Sequence, residues 1–114
     1  MNTKFTVQFK DGCYHDVQYT QAIVKKGRWG IASCTVYPKD YGFYLSELNV
    51  YGEENYRKGY GSMLMAGIVA EVKGLLKLEV LKDNIGAIAL YKKFGFCFNG
   101  EVNKNLLTMI KENK

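Results

Sequence analysis

The chain has little of several things. Of its 114 residues one is proline, one is tryptophan and one is histidine. The three cysteines, Cys13, Cys34 and Cys97, form no C-x-x-C pair and leave one thiol over however they are paired, so neither a disulfide frame nor a zinc knuckle is indicated. No metal is expected. Long hydrophobic runs are also missing: the longest are far too short to cross a bilayer, and the start, MNTKFTVQFKDG, lacks the apolar stretch of a signal peptide. A cytoplasmic protein with no membrane partner is the expectation. No tract is biased in charge or composition, which excludes an obvious linker or low-complexity tail and leaves one folded domain over residues 1–114.

What is present is a core-forming share of hydrophobic residues, 47%, and a net charge of +5. A basic balance points to an anionic partner, phosphate as readily as nucleic acid. Nucleic acid is disfavoured, because no element concentrates Lys and Arg and the aromatics fall mainly on strands, as core residues would. One basic pair, Arg57 and Lys58, adjoins two glycines.

Residues 4–10, 17–24, 29–37 and 43–51 are rich in β-formers, partly alternating, and read as four strands in antiparallel hairpins. Six residues, DGCYHD, separate the first two, too few for a helix. In the fourth, FYLSELNVY, strict alternation puts Phe43, Leu45, Glu47 and Asn49 on one face and Tyr44, Ser46, Leu48 and Val50 on the other. From Tyr60 onward Leu64, Met65, Ile68, Val69 and Val72 recur at helical spacing. Residues 75–81 form a fifth strand, and a second helix follows, capped at Asp83 or Asn84, with Ala87, Leu90, Tyr91 and Phe94 as its stripe and Gly95 as its end. Two strands, 96–99 and 105–112, separated by a turn around Gly100, close the chain. The class is α+β: a mixed, mostly antiparallel sheet of about seven strands with two main helices.

The stretch RKGYGSML (57–64) opens a helix with two bare residues. A helix start offers main-chain N–H groups outside the helical ladder and about half a positive charge, an anion site by construction. Gly59 and Gly61 lack the Cβ atoms that would hold a phosphate away, and Arg57 and Lys58 add charge. There is no G-x-G-x-x-G, since position 64 is Leu, and no G-K-[ST] ending, which disfavours dinucleotide and nucleoside triphosphate sites.

Two motifs in order carry a resemblance. YLSELNV leading to RKGYGSML resembles the acyl-CoA loop [QR]-x-x-G-x-[GA] of the GNAT superfamily of N-acetyltransferases, with Tyr56 at the [QR] position and Arg57 beside it. NIGAIALYKKFGF is similar to that family's N-x-x-A-x-x-L-Y-x-K-x-G-F signature at Asn84, Ala87, Leu90, Tyr91, Lys93, Gly95 and Phe96. The resemblance implies an acetyl-CoA-dependent N-acetyltransferase acting on a primary amine. The cosubstrate would lie in a gap between splayed fourth and fifth strands, with the main chain near Leu48 and Val50 facing the thioester. Lys58, Gly59, Tyr60, Gly61 and Ser62, with Arg57, would hold its diphosphate, and Asn84 the pantetheine arm. Tyr91 is then the candidate acid toward the leaving thiolate, with a phenol near pKa 10 set against a thiol near 8.5. Glu47 is the candidate base, with Glu53 and Glu54 behind it. His15 and Cys13 have no third group to orient them as a catalytic pair.

Family members carry one or two helices between the first two strands, and this chain does not. An open acceptor side follows, suited to a protein acceptor or to cover by a second copy of the chain in a homodimer. The alternative reading is a module of the same fold that binds acyl-CoA, or has lost it, and acts through a protein partner.

Overall fold

The computed structural model describes residues 5–51 and 59–114. Strands β1 (Phe5–Tyr14), β2 (Val17–Lys26), β3 (Trp29–Lys39) and β4 (Gly42–Val50) form antiparallel hairpins, followed by α1 (Tyr60–Glu71), β5 (Gly74–Leu81), α2 (Ile85–Lys93), β6 (Cys97–Asn103) and β7 (Leu106–Asn113). They make one seven-stranded sheet in the order β1-β2-β3-β4-β5-β7-β6, in which only β4 and β5 pair in parallel. The expected α+β architecture is the observed one.

Three local expectations are corrected. The first two strands are joined by two residues rather than six, because pairing runs unbroken from Phe5↔Lys26 to Tyr14↔Val17. His15 (φ 48°) and Asp16 (φ 63°) both take the left-handed conformation that a tight two-residue hairpin demands. Gly100 is not the turn between the last two strands. It lies inside β6 at φ 122°, where the register with β7 shifts between Phe98 and Glu101, and the turn is at Lys104–Asn105, where the Asn105 N–H donates to Asn103 Oδ1 at 2.8 Å.

The third correction concerns β4. Ser46 pairs with Thr35 and Asn49 with Ser33, so two residues, 47 and 48, oppose Cys34 alone. One extra residue inverts the alternation. Leu45, opposite Val36, and Val50, opposite Ala32, therefore share a face, although their numbers differ by five. Tyr44 and Asn49 belong to the other face, opposite Tyr37 and Ser33. Strict alternation had placed Leu45 with Asn49 and Tyr44 with Val50.

Both helices lie on one face, as two right-handed crossovers stepping the same way across the sheet require. The first runs from β4 to its neighbour β5. The second runs from β5 to β6, which β7 makes parallel to β5. Ala22, Val24, Ala32, Cys34, Val36, Leu45, Leu76, Leu78, Val80 and Met109 are buried on this face together with Leu64, Met65 and Ile68 of α1, Tyr91 of α2, and Phe96. Burying a side chain of this size contributes roughly 1.5–3 kcal/mol, so the helical stripes rather than intrinsic propensity hold α1 and α2 in place. Among the described residues no helix covers the opposite face, to which Tyr19, Ser33, Thr35, Tyr37, Tyr44, Ser46, Lys77, Glu79 and Thr108 belong, with Ser33, Thr35 and Thr108 buried among their neighbours.

Candidate active site

Parallel pairing of β4 with β5 covers only Phe43↔Leu76, Tyr44↔Lys77 and Leu45↔Leu78. Beyond Leu45 the bulge turns β4 toward β3 while β5 continues along β7, and the two strands part. Two cavities occupy the wedge. A groove of about 540 Å3 on the helix side is lined by Leu48, Asn49, Val50, Gly59, Tyr60, Gly61, Ser62, Asn84, Gly86, Ala87, Leu90 and Tyr91. It contains every proposed site residue that the structure describes in full. Glu47 belongs to β4 by its backbone but its side chain lies outside the described residues, as do Arg57 and Lys58.

The floor of the groove is the start of α1. Its first intrahelical bond runs from the Met63 N–H to the Gly59 carbonyl at 3.0 Å, so the amides of Tyr60, Gly61 and Ser62 precede the helical ladder. Among the described residues no acidic side chain stands in the first turn and no side chain caps it. Gly59 sits at φ 84°, and among the described residues no atom lies within 4 Å of where a Cβ would stand beside those amides. Gly61 has a different reason to be bare: a Cβ there would stand 3.3 Å from Leu90 Cδ2, so this glycine sets the close approach of α1 to α2.

The second helix is fixed at both ends. Asn84 Oδ1 accepts from the Ala87 N–H at 3.2 Å, so Asn84 is the cap and still presents an edge to the groove. At the other end Gly95, at φ 93°, closes the helix with Phe96 N–H bonded to the Tyr91 carbonyl at 3.0 Å. This clamp aims Tyr91. The ring is 7% exposed and packs at a tilt on Phe96, 5.9 Å between centroids. Burial, and then the neighbouring Cys34, push its hydroxyl up to about 12.

Tyr91 and Leu48 also line the second cavity, a passage of about 250 Å3. Its walls come from both faces of the sheet: Cys34, Leu45, Met65 and Leu78 on the helix side, Tyr44, Ser46 and Glu79 on the open side. The passage therefore pierces the sheet where β4 and β5 part. At its open mouth the Tyr44 hydroxyl donates to Glu79 Oε1 at 3.0 Å. Burial and this bond raise the Tyr44 hydroxyl to about 12. Sequence reasoning missed both residues. The signal for Glu79 was the alternation in LLKLEVL, which buries Leu76, Leu78 and Val80 and turns Lys77 and Glu79 outward; the signal for Tyr44 was hidden by the bulge.

Both phenols are held above their ordinary value near 10, so folding favours their neutral forms. The associated stability is complete below about pH 10 and is lost as pH rises from about 10 to 12. For buried Tyr91 this amounts to roughly 2–3 kcal/mol. Denaturant midpoints measured between pH 9 and 11.5 should fall for the native chain and fall less steeply for Tyr91→Phe. Equal slopes would contradict the burial of that hydroxyl.

Among the described residues no group of three His, Cys, Asp or Glu could hold a metal ion, and no helix is long and apolar enough to cross a membrane.

Comparison with known proteins agrees with this geometry. Residues 7–96 match the model of the acetyltransferase (GNAT) family. A spermine/spermidine N(1)-acetyltransferase of Bacillus subtilis is 37% identical over 67 residues, which cover 53% of this chain and 44% of that protein. The chain thus matches less than half the length of this curated relative. Among solved structures, the ribosomal-protein-S18-alanine N-acetyltransferase of Escherichia coli superposes with a TM-score of 0.72 at 21% identity, over 84% of this chain and 70% of that one. A GNAT family acetyltransferase of Elizabethkingia anophelis with acetyl-CoA bound gives 0.69 at 17%, over 82% and 76%. At such identities the structures share the fold, and the family follows from the match over residues 7–96 together with the wedge between β4 and β5: the chain belongs to the GNAT acetyltransferase family.

Proposed function

We propose that the chain transfers an acetyl group from acetyl-CoA to a primary amine, with the cosubstrate on the helix side of the sheet and the amine arriving from the open side. The observation that carries this reading is the position of Tyr91, which lines both the groove and the passage. The groove fits a phosphate-bearing thioester: the bare approach at Gly59 and the leading amides of α1 suit a diphosphate, and the apolar walls of Leu48, Val50, Ala87 and Leu90 suit the arm behind it. Arg57 and Lys58 would add charge to the same end. Bound acetyl-CoA supplies an activated acyl group, and the chain's own residues do the rest.

A lysine-type amine is protonated at neutral pH, and freeing it costs about 4–5 kcal/mol. Glu79 at the open mouth, held by Tyr44, is the described carboxylate placed to accept that proton. Glu47 stays a second candidate for the base. Tyr91 faces the place where a thiolate would leave. With its hydroxyl raised to about 12, full proton transfer to a thiolate of pKa near 8.5 is uphill by about 5 kcal/mol. Tyr91 therefore acts by donating a hydrogen bond to the developing sulfur charge and keeping its proton.

Named relatives act on a polyamine and on an alanine of a ribosomal protein, both amines. The uncovered face around Tyr44 and Glu79 admits a large acceptor, an amine on a protein included. The test has two arms. Saturating acetyl-CoA should raise Tm by several degrees, since a ligand held only by the native state stabilises it by about 2.7 kcal/mol at a hundred times its Kd; no shift sinks the groove assignment. Labelled acetyl-CoA should then acetylate a panel of polyamines, peptides and soluble proteins. Binding without transfer to any of them would favour the alternative, a module that holds acyl-CoA for a protein partner.

A further inference from the structure

The two edges of the sheet are built differently. On β6 the register with β7 shifts twice, between Phe98 and Glu101 and between Glu101 and Asn103, and Glu101 is drawn into an ion pair with Lys82 at 2.6 Å. Bulges and charge of this kind stop an edge from pairing with another strand. On β1 the bulges are missing: all ten residues keep one unbroken register with β2, and its two charges, Lys10 and Asp11, are adjacent and of opposite sign.

The tight turn fixes which main-chain groups this edge offers. Tyr14 and Val17 close the two-residue hairpin as a hydrogen-bonded pair, so alternate residues counted back from Tyr14 direct their N–H and C=O groups to β2. Phe5, Val7, Phe9, Asp11 and Cys13 direct theirs outward. On the helix side Phe5, Val7 and Phe9 form an apolar strip. Phe5 is 37% and Phe9 36% exposed, the Phe5 ring lies 5.3 Å from that of Tyr60, and Val7 packs so tightly under Gly67 that a Cβ there would come within 2.7 Å of it.

We propose that this edge pairs with a second copy of the chain, β1 against β1 antiparallel about a two-fold axis normal to the sheet, giving one continuous fourteen-stranded sheet from two seven-stranded halves. Self-pairing about such an axis keeps each residue on its own face, so residues whose numbers sum to an even value stand opposite. Sums of 20 and 22 set Lys10 or Asp11 against itself. A sum of 18 sets Phe9 against Phe9, Val7 against Asp11 and Lys10 against Gln8, with no like charges opposed and residues 5–13 all paired. The two Phe9 rings then fill the space between the two α1 helices. This contact is independent of acetyl transfer and leaves the mouth at Glu79 uncovered.

Two measurements test it on the whole chain. Light scattering after gel filtration at about 100 μM should give twice the 13.0 kDa chain mass, and Phe9→Pro, which removes one outward N–H and no internal bond, should give the monomer. A native chain that is monomeric at that concentration overturns the proposal, as does a Phe9→Pro variant that folds and remains dimeric. Should Phe9→Pro fail to fold, cross-linking decides alone. In a background with Cys13→Ser and Cys97→Ser, Phe9→Cys should form a disulfide dimer under mild oxidation, because residues directly opposite in a hydrogen-bonded pair lie about 5.5 Å apart, within disulfide reach. Gln8→Cys should not, and a reversed pattern excludes the register.

Discussion

Replacing Glu79 by Gln is expected to lower kcat/KM for amine acetylation about a hundredfold, with acetyl-CoA affinity unchanged. The amide keeps the shape and can still accept from the Tyr44 hydroxyl, but it cannot take a proton, and loss of a placed general base typically costs at least that factor, about 3 kcal/mol at the transition state. Glu79 is exposed at the mouth of the passage and belongs to no ion pair among the described residues, so the substitution leaves the core untouched. Steady-state kinetics with a saturating acceptor, alongside a thermal shift with CoA, separate the two steps. Activity above a third of the native value would remove Glu79 from the proton path and return attention to Glu47. Tyr44→Phe should cost less, several-fold, since Tyr44 only orients the carboxylate.

Gly86→Trp is expected to weaken acetyl-CoA binding by at least a hundredfold while the melting temperature of the ligand-free chain holds or rises. Gly86 is the second residue of α2 and lines the groove, and a Cβ built there meets no atom within 4 Å. A large ring at this lining position finds open space beside the groove, where it would meet a bound ligand, and removing a glycine from a helix relieves part of its roughly 1 kcal/mol penalty. Calorimetric titration with CoA reads the first effect and thermal melting the second. Undiminished affinity would move the ligand out of this groove. Gly61 is a poorer probe, because its Cβ would press on Leu90 and confound binding with helix packing.

Much of this site could be read from local sequence because it rests on short-range rules. Asn84 and Gly95 mark the ends of α2 by capping and by left-handed termination, and with the ends fixed the stripe Ala87, Leu90, Tyr91 follows from a 3.6-residue period. The helix start at Gly59 and Gly61 is legible for the same reason. The site residues away from these helices were harder. Tyr44 and Glu79 are 35 positions apart and meet only because a parallel pair aligns Tyr44 with Lys77. The bulge at residues 47–48 exists because β3 supplies one residue where β4 supplies two, a count no window on β4 alone contains. Misreading it exchanged the faces of Leu45 and Val50 relative to their neighbours.

By itself the sequence determined where helices start and stop, which stripe of each is buried, that the sheet is mixed, and that bare backbone precedes α1, since each depends on residues within a turn or two of one another. Only the tertiary structure decided that β4 and β5 separate after Leu45 and Leu78, that the resulting passage crosses the sheet, and that Tyr91 looks into it from one side and Glu79 from the other. The physical reason is that strand divergence is set by a mismatch in residue count between paired partners, and a mismatch is a property of two strands together.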